Sequence, residues 1–341
     1  LQIGNGLPKK VLLFQETRYV KSMKVIRDLK NFKSSQKTIV TIGTFDGAHI
    51  GHQKILNQLV TQSKKRDLVS VVLTFFPHPR MVLQKGQSVQ MIDTLDEKIK
   101  GLELLGINHL VIHPFSKEFS RTSATAFARD ILAEQLNCKH VIIGYDHRFG
   151  QNREASIEDL IGFGELYGFE VTVIPAQDVN SIAVSSTKIR TAIQEGDLPK
   201  ATQYLNRPFR LIGTVIQGDK IGKTIQFPTA NINIEESYKM WPDRGVYLVS
   251  CPIEGQLFWG MMNIGIRPTL SGTTPRIEVH FFDLNQDLYH QILTLDIHLK
   301  IRDEKKFDSL QELKQQLEKD QLYCQKCIPE FLNGSATFTK N

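Results

Sequence analysis

The sequence predicts two domains: an α/β domain with a doubly wound parallel sheet, followed by a smaller antiparallel β domain. Between residues 38 and 205, short apolar runs alternate with longer helical patterns. After Pro208 the chain changes to short alternating runs separated by Gly, Pro and Asn. A length of 341 residues also suits two hydrophobic cores. We expect the boundary near Arg207, with domains at residues 23–205 and 206–335.

In the first half, the β-branched runs are apolar at successive positions, which is typical of parallel strands covered by helices on both faces. The predicted strands are TIVTIG, LVSVVLTF, HLVIHPF, HVIIGY and FEVTVIP. The predicted helices between them are GHQKILNQLVTQSKK, LDEKIKGLELLG, ATAFARDILAEQL and IEDLIGFGELYG. Because strand and helix take turns, we expect parallel strands joined by crossover helices.

The second half has no helical pattern between its apolar runs, so an antiparallel sheet or a small barrel is expected. The predicted strands are FRLIGTVIQG, TANINI, GVYLVSCPI, LFWGMMNIG, RIEVHFFD and LTLDIHLKIR. One closing helix is predicted at SLQELKQQLEKD, where Ser309 and Glu312 form a capping box.

The composition is that of an ordinary globular protein, with 41% hydrophobic and 23% charged residues. A net charge of +6 suits anionic ligands such as nucleotides, but the basic residues are too dispersed to indicate nucleic acid. Four scattered cysteines favour a reducing, cytoplasmic location, and the lone Cys324-x-x-Cys327 lacks the context of a zinc or redox site. No apolar run approaches the ~20 residues that span a bilayer. Residues 1–22 (Leu1–Ser22) have no signal-peptide core, and we expect them to be an upstream or cloning remnant.

The stretch TIGTFDGAHIGHQ joins a predicted strand to a predicted helix. Ligands of open α/β sheets bind beyond the carboxyl ends of the strands, where a helix N-terminus offers free N–H groups to an anion. His49 and His52 can both turn toward such a site, and Gly51 lets a phosphate approach the backbone. One histidine here would more often be a cap or a surface residue. A metal site is the other alternative, but no carboxylate or cysteine lies at ligand spacing. The pair therefore indicates a polyphosphate site.

A second segment, VSSTKIR at residues 184–190, begins another predicted helix. Ser186 or Thr187 can cap this helix, while Lys188 and Arg190 can reach back to phosphate. Helix capping alone is the simpler interpretation of such a serine pair.

The H-x-G-H and S-S-T-x-I-R motifs together resemble the HxGH nucleotidyltransferases, and FFPHPR, SRTSATAFARDIL and GYDHRFGQNR are similar to the flavin-specific branch, prokaryotic FAD synthetase. This resemblance implies a Rossmann-like domain that transfers a nucleoside monophosphate from ATP to FMN, with His49, His52 and Arg190 as catalytic residues. It implies ATP and phosphate contacts from Gly43, Asp46, Gly47, Gly51, Ser185, Ser186 and Thr187. It implies flavin contacts from Asp146, Arg148 and Phe149. The departures from the family pattern are Thr44, Tyr145 and His147.

The stretch GDKIGKTIQFPTANI contains Gly, Lys and Thr in the order of a Walker A loop, but Gln217 stands where that motif has glycine. The Phe227-Pro228 pair also prevents the helix that a Walker A loop requires. A glycine-containing flap over a nucleotide is the functional interpretation, and an ordinary hairpin turn is the alternative. The flap would contact ATP through Gly218, Lys220 and Gly222.

Two strand patterns of the second half carry polar side chains on one face. Thr229 and Asn231 are two residues apart and present hard oxygen ligands suited to Mg²⁺ that also holds phosphate. Along RIEVHFFD, alternation predicts two opposite faces, with Ile277, Val279 and Phe281 on one and Arg276, Glu278 and His280 on the other. Glu278 could act as a base, although by itself it is more often a surface residue.

These segments resemble riboflavin kinase, a six-stranded antiparallel barrel that bacteria commonly fuse to FAD synthetase. GVYLV, MNIGIRPT and IRDEKKFDSLQELKQQLEKD extend the similarity. The resemblance implies that Thr229 and Asn231 hold Mg²⁺ with ATP, and that Glu278 takes the proton from the riboflavin 5′-hydroxyl. It places Asn263 and Arg267 near the flavin. Lys223 and Gln226 depart from the usual arginine and glycine of the flap.

The two resemblances together imply a bifunctional enzyme that makes FMN from riboflavin and then FAD from FMN, each with one ATP. The expected partners are the small molecules riboflavin, FMN, FAD and ATP, with Mg²⁺ as cofactor and with neither nucleic acid nor membrane. Two alternatives remain, namely an enzyme with one competent half and a non-catalytic regulatory protein that binds flavin or nucleotide.

Overall fold

A six-stranded parallel sheet organises the first half of the computed structural model, which describes residues 22–84, 89–176, 178–179, 182–218, 221–269 and 272–333. The strands lie in the order β1-β4-β3-β2-β5-β6, and every neighbouring pair is parallel. Their bounds are β1 Lys24–Arg27, β2 Thr38–Ile42, β3 Val69–Phe75, β4 His109–His113, β5 Cys138–Gly144 and β6 Glu170–Ile174. The order reverses between β2 and β5, which makes the crevice between them the topological switch point.

Helices cover both faces of this sheet, which confirms the predicted doubly wound arrangement. They are α1 Ile50–Arg66, α2 Pro79–Leu83, α3 Leu95–Glu103, α4 Ala124–Ala126, α5 Ile157–Tyr167, α6 Ser186–Gln194 and α7 Leu198–Leu205. Helix α4 continues as a π-helix at Phe127–Gln135, and single turns of 3-10 helix lie at Leu29–Asn31, Phe119–Arg121 and Gln151–Arg153. Alternate strand residues face opposite cores: Val40 packs with the π-helix and α5, and Ile39 packs with α1 and α3. A two-residue pair, β7 Asp178–Val179 and β8 Ile182–Ala183, precedes α6.

The second half is a closed six-stranded antiparallel barrel, in the order β10-β13-β12-β11-β14-β9 with β9 pairing back to β10. The strands are β9 Phe209–Ile216, β10 Ala230–Asn233, β11 Gly245–Ile253, β12 Gln256–Thr269, β13 Gly272–Phe281 and β14 Ile292–Arg302. The predicted alternation on β13 is confirmed, because Ile277, Val279 and Phe281 are buried in the core. Glu278 therefore lies on the outer face of the barrel.

Several elements differ from the sequence-based expectations, among them strand β1 and two helices of the second half. Strand β1 was not predicted, since four residues at the sheet edge are too few for a clear pattern. A four-residue helix, α8 Ile221–Thr224, lies between β9 and β10, where no helix was expected. The closing helix α9, Leu310–Leu332, continues well beyond the predicted segment. Its extension buries Cys324 and Cys327 against the barrel, where they act as small apolar side chains.

A shared hydrophobic core joins the two halves. Helices α6 and α7 and the residue Ile92 contribute to the same buried cluster as the barrel residues Phe209 and Leu211. Among the residues that the structure describes, no helix combines the length and the apolar character that crossing a membrane requires.

Candidate active sites

The first candidate site lies at the switch point, where the loop after β2 leads into α1. His49 is the N-cap of α1, and its Nδ1 accepts a hydrogen bond from the backbone N–H of His52 at 3.4 Å. The two imidazole rings stack with their centroids 3.7 Å apart. The His49 ring also lies over Gly51, where any side chain would crowd it. Gly43 and Gly47 belong to the preceding loop, so the sequence-predicted glycines and histidines converge on one helix N-terminus.

Burial keeps this histidine pair neutral near pH 7. Burial lowers the pKa of His49 to about 4, although the nearby Asp146 carboxylate opposes that shift. Burial, together with His49 and Lys98, lowers the pKa of His52 well below its usual value. The Nδ1 atom of His52 is buried and has no hydrogen-bond partner among the described residues. The rings therefore stack without charge repulsion, and the Nδ1 atom of His52 is shielded from solvent.

The depressed pKa of His49 makes folding stability depend on pH. Its folded pKa of about 4 lies below the ordinary value of 6.5, so between those values the unfolded state binds the proton more readily. This contribution to stability is complete above pH ~6.5 and is lost as the pH falls toward ~4, at about 1.4 kcal/mol per pH unit. We expect His49→Gln to reduce the pH dependence of the free energy of unfolding, measured by urea denaturation between pH ~7 and ~5. An unchanged pH dependence would contradict the neutral state of His49.

Asp46 and Arg190 form a buried ion pair beside the histidines. The Arg190 guanidinium lies 2.5 Å from Oδ2 of Asp46, which is 1% exposed. The other carboxylate oxygen accepts the backbone N–H groups of Ile92 at 3.0 Å and Asp93 at 3.3 Å. Asp46 is thus occupied in holding Arg190, while the Arg190 side chain remains 16% exposed toward the site.

Helix α6 brings the second motif to the first. Ser185 is its N-cap and accepts the N–H of Lys188, and the Ser186 hydroxyl donates to the Asp46 carbonyl oxygen at 3.0 Å. Thr187 accepts the Thr191 hydroxyl through its backbone oxygen. Lys188 was expected to reach back to phosphate together with Arg190, but its ammonium donates to the Ala183 carbonyl oxygen at 2.8 Å. The N-termini of α1 and α6 therefore border the same crevice.

Sequence reasoning missed Lys98 as a member of this site. Its ammonium is buried and donates to the Thr44 carbonyl oxygen at 2.7 Å, directly in the loop before His49. A lysine in the pattern LDEKIKGLE resembles any solvent-facing helical lysine, so no local signal marks it. His78, in the quoted FFPHPR segment, is also buried near Lys98 and Arg190, and burial lowers its pKa to about 3.

The predicted flavin contacts separate into two groups. Asp146 and Arg148 are exposed beyond the end of β5, beside the crevice. Phe149 is instead buried in the core, where it packs on Phe127 with ring centroids 5.8 Å apart. His147 stacks on Phe149, and burial lowers the pKa of His147 to about 4. In this arrangement the Phe149 ring packs in the core and can support the Asp146–Arg148 loop.

The second candidate site is a row of polar side chains on the outer face of the barrel. Glu278 on β13 lies directly opposite Asn231 on β10 and Asn263 on β12. Side chains opposite each other on antiparallel strands share a face, so the three are neighbours. Arg276 connects Asn231 and Glu278: its Nε donates to Oδ1 of Asn231 at 2.6 Å, and its guanidinium lies 3.1 Å from Oε1 of Glu278. Strand alternation had already placed Arg276 on the face of Glu278.

The other predicted flap and flavin residues surround this row. Thr229 is exposed just before β10, with its Oγ1 3.6 Å from the position that a Cβ would take at Gly222. Gln226 adopts a left-handed backbone with φ 68° and accepts a hydrogen bond from Lys314 of α9 at 2.9 Å. Arg267 lies on β12 opposite Thr274. Lys220 and the side chains of Lys223 and Arg267 lie outside the described parts of the chain.

A cleft of about 1020 Å³ opens beside this row, large enough for a flavin or a nucleotide. Barrel residues of its wall include Gly218, Asn231, Trp241 and Arg276, and the first half contributes Gln90 and Gln194. Glycine is required at position 218 because a Cβ there would overlap the Asn231 amide and would lie 2.9 Å from the Arg276 guanidinium.

Gly218→Ala is expected to displace Asn231 and Arg276. Overpacking of this kind costs about 1–3 kcal/mol, so we expect a loss of about 5- to 150-fold in any activity that depends on the barrel cleft. Activity at the histidine site serves as the folding reference in the same sample. Gly101→Ala on α3, where a Cβ meets no atom within 4 Å, is the matched control and should change neither activity. Retention of the barrel activity in Gly218→Ala would show that Asn231 and Arg276 do not act there.

Comparison with known proteins assigns a family to each half. The family model of FAD synthetase matches residues 31–188, and that of riboflavin kinase matches residues 205–328. The chain is 38% identical over 310 residues to the bifunctional riboflavin kinase/FMN adenylyltransferase of Buchnera aphidicola subsp. Acyrthosiphon pisum, covering 89% of this chain and 98% of that protein. It is 35% identical over 303 residues to the protein of the same name from Escherichia coli K12, covering 88% and 96%.

A solved structure is also similar over most of the chain. The Streptococcus pneumoniae protein described as a macrolide-efflux protein superposes with a TM-score of 0.82 at 30% sequence identity, covering 89% of this chain and 99% of that one. The arrangement of a parallel sheet followed by a closed barrel therefore recurs in a crystal structure of nearly the same extent.

Proposed function

The chain belongs to the family of bifunctional riboflavin kinase/FMN adenylyltransferases, and from that membership we propose how its residues carry the two reactions. The C-terminal half phosphorylates riboflavin with ATP to FMN, and the N-terminal half transfers AMP from a second ATP to FMN to give FAD. The observation that carries the residue assignment is the convergence of the stacked histidines and the Asp46–Arg190 pair at the switch point.

In adenylyl transfer, an oxygen of the FMN phosphate attacks the α-phosphorus of ATP while the bond from that phosphorus to the bridging oxygen breaks, which releases pyrophosphate. Negative charge builds on the non-bridging and leaving oxygens, so the protein has mainly to position and stabilise these atoms. Neutral His49 and His52 donate ring N–H groups to phosphate oxygens at the N-terminus of α1. Arg190, aimed by Asp46, supplies a fixed positive charge. Lys98 stabilises the loop before His49 through its hydrogen bond to the Thr44 carbonyl oxygen.

In the kinase reaction, the riboflavin 5′-hydroxyl attacks the γ-phosphorus of ATP, and ADP leaves. Glu278 accepts the hydroxyl proton as the new O–P bond forms. Its ion pair with Arg276 orients the carboxylate, and Arg276 in turn orients the Asn231 amide. The cleft of about 1020 Å³ next to this row would hold the substrates.

The donor set near Asn231 fits Mg²⁺ as a partial coordination shell. The Thr229 hydroxyl and the Asn231 carbonyl are neutral hard oxygens, and the Asn231 oxygen retains a second lone pair beside its bond from Arg276. Mg²⁺ usually takes few protein ligands and completes its shell with phosphate oxygens and water. Bound there with ATP, the ion would neutralise charge on the transferred phosphate.

The proposed location and partners follow from the chemistry. Cys138, Cys251, Cys324 and Cys327 are all free and buried, which supports a role in the reducing cytoplasm. The proposed partners are riboflavin, FMN, FAD and ATP, without nucleic acid or membrane.

Product analysis by chromatography tests this assignment. Purified protein with riboflavin, ATP and Mg²⁺ should form FMN first and FAD later, and a chelator should prevent FMN formation. FMN without FAD would place the defect at His49 and His52. If the protein converts added FMN to FAD but does not phosphorylate riboflavin, the defect lies in the barrel. Gln226, with its left-handed backbone, would then be the first residue to replace.

A further inference from the structure

A lysine of the kinase half reaches into the adenylyltransferase half. Lys239 lies between β10 and β11, and its side chain is completely buried. Its Nζ donates to the Ile92 carbonyl oxygen at 2.6 Å and pairs with Oε2 of Glu97 at 2.5 Å. The ammonium also lies 4.8 Å from the centre of the Phe209 ring. A buried ammonium is tolerated only when such partners compensate for the lost hydration.

Lys239 and Asp46 both form hydrogen bonds with the backbone of Ile92. Ile92 accepts Lys239 through its carbonyl oxygen and donates its N–H to Asp46 at 3.0 Å, and Asp46 pairs with Arg190 at 2.5 Å. Arg190 also donates through Nε to the carbonyl oxygen of Gln90 at 3.1 Å. Residues 90–93, here named the interdomain strap, therefore fix Arg190 through two separate contacts.

The barrel half supports the strap along its length. The N–H of Met91 donates to the Tyr238 carbonyl oxygen at 2.7 Å, and the N–H of Met240 donates to the Met91 carbonyl oxygen at 2.9 Å. Arg207 pairs with Asp93 at 2.6 Å. The strap is thus a segment of the first half that forms a parallel β-bridge with the second half at Met91 and Lys239 and bends at Ile92 and Asp93.

We propose that Lys239, a residue of the riboflavin kinase half, is a positioning residue for adenylyl transfer in the other half. Through the Ile92 carbonyl it holds the strap at the distance at which Asp46 aims Arg190 at the phosphates of ATP. This inference rests on the proposed role of Arg190. A small displacement of the strap would move the Arg190 guanidinium out of alignment, and misplacement of about 1 Å is enough to reduce a rate strongly.

The test is a double-mutant cycle between Lys239→Met and Arg190→Gln in the full-length protein, with the conversion of FMN to FAD as the readout. Lys239→Met should lower kcat/KM for this reaction about tenfold or more in the wild-type background but have little further effect beside Arg190→Gln. The thermal unfolding midpoint reports folding of the same samples. Arg302→Met is the matched control, because it likewise removes a cation of the barrel from a buried carboxylate, here Asp320 of α9, and should leave FAD formation unchanged.

Lys239→Met leaves Glu97 as an unpaired buried charge and for that reason is expected to be destabilised. The variant Lys239→Met/Glu97→Gln removes both charges, and glutamine can keep the capping bond to Thr94. It should show the same non-additivity with Arg190→Gln. Additive losses, or no loss in either Lys239 variant, would overturn the inference. An Arg190→Gln variant that makes FAD normally would instead overturn the proposed role of Arg190, and the inference with it.

Discussion

His52→Ala is expected to lower the rate of FAD formation from supplied FMN by about 10²–10³-fold, the usual effect of removing one donor that stabilises transition-state charge. The His52 ring stacks on His49 and contacts Phe45, and its Nδ1 has no partner among the described residues. Within that part of the chain, the ring makes packing contacts but no hydrogen bond through Nδ1, so we expect its removal to act mainly on phosphate binding. Phosphorylation of riboflavin should continue at its normal rate, because both histidines lie at the start of α1, in the half that holds the parallel sheet.

The measurement is the initial rate of each half-reaction, with riboflavin or FMN supplied separately. His290→Asn is the control, since His290 is exposed and asparagine tolerates its left-handed backbone, with φ 65°. Equal loss of both reactions would indicate that His52→Ala disturbs the fold. An unchanged rate of FAD formation would exclude His52 from phosphate binding.

Glu278→Gln is expected to lower FMN formation from riboflavin by about 10²–10⁴-fold, the usual contribution of a general base. Glutamine has nearly the same shape but cannot accept the hydroxyl proton. It also keeps an oxygen for Arg276, so the orientation of Asn231 should survive. FAD formation from supplied FMN should be unaffected, because Glu278 lies on the barrel and the histidines lie on the sheet.

His52→Ala and Glu278→Gln should each lose one reaction and keep the other. The rates of both reactions should therefore be measured on the same preparation of each variant. Glu318→Gln, an exposed change on α9, is the control for the loss of one carboxylate. If Glu278→Gln still phosphorylated riboflavin normally, Glu278 would not be the base. If it lost both reactions, the Arg276–Glu278 pair would be structural.

Local patterns predicted most elements of the fold, because the periodicity of a helix or a strand can be detected within a short stretch of sequence. Continuous apolar runs predicted the covered parallel strands, and alternation on β13 placed Arg276 and Glu278 on the outer face. The edge strand β1 and the extension of α9 were not predicted. Four residues carry too little pattern, and a helix that packs on a barrel can include residues such as Pro329 that local propensity disfavours.

Local patterns were equally limited in predicting which residues belong to the two candidate sites. The motifs containing His49 and Arg190 were visible because histidine and arginine at those spacings carry chemistry. Phe149 looked like a flavin contact, yet the fold places it in the core. Lys98 and Lys239 look like surface lysines in the sequence, and only the packing of distant segments buries them.

The sequence by itself determined the two fold classes, their order along the chain, the family of each half and the residue types that meet phosphate. The tertiary structure alone decided that Asp46 is occupied by Arg190, that burial keeps His49 and His52 neutral, and that Lys239 joins the two halves through the interdomain strap. The physical reason is that periodicity and motifs depend on neighbours in the chain. Hydrogen-bond partners, burial and pKa values depend on neighbours in space, and these come from segments tens to hundreds of residues apart.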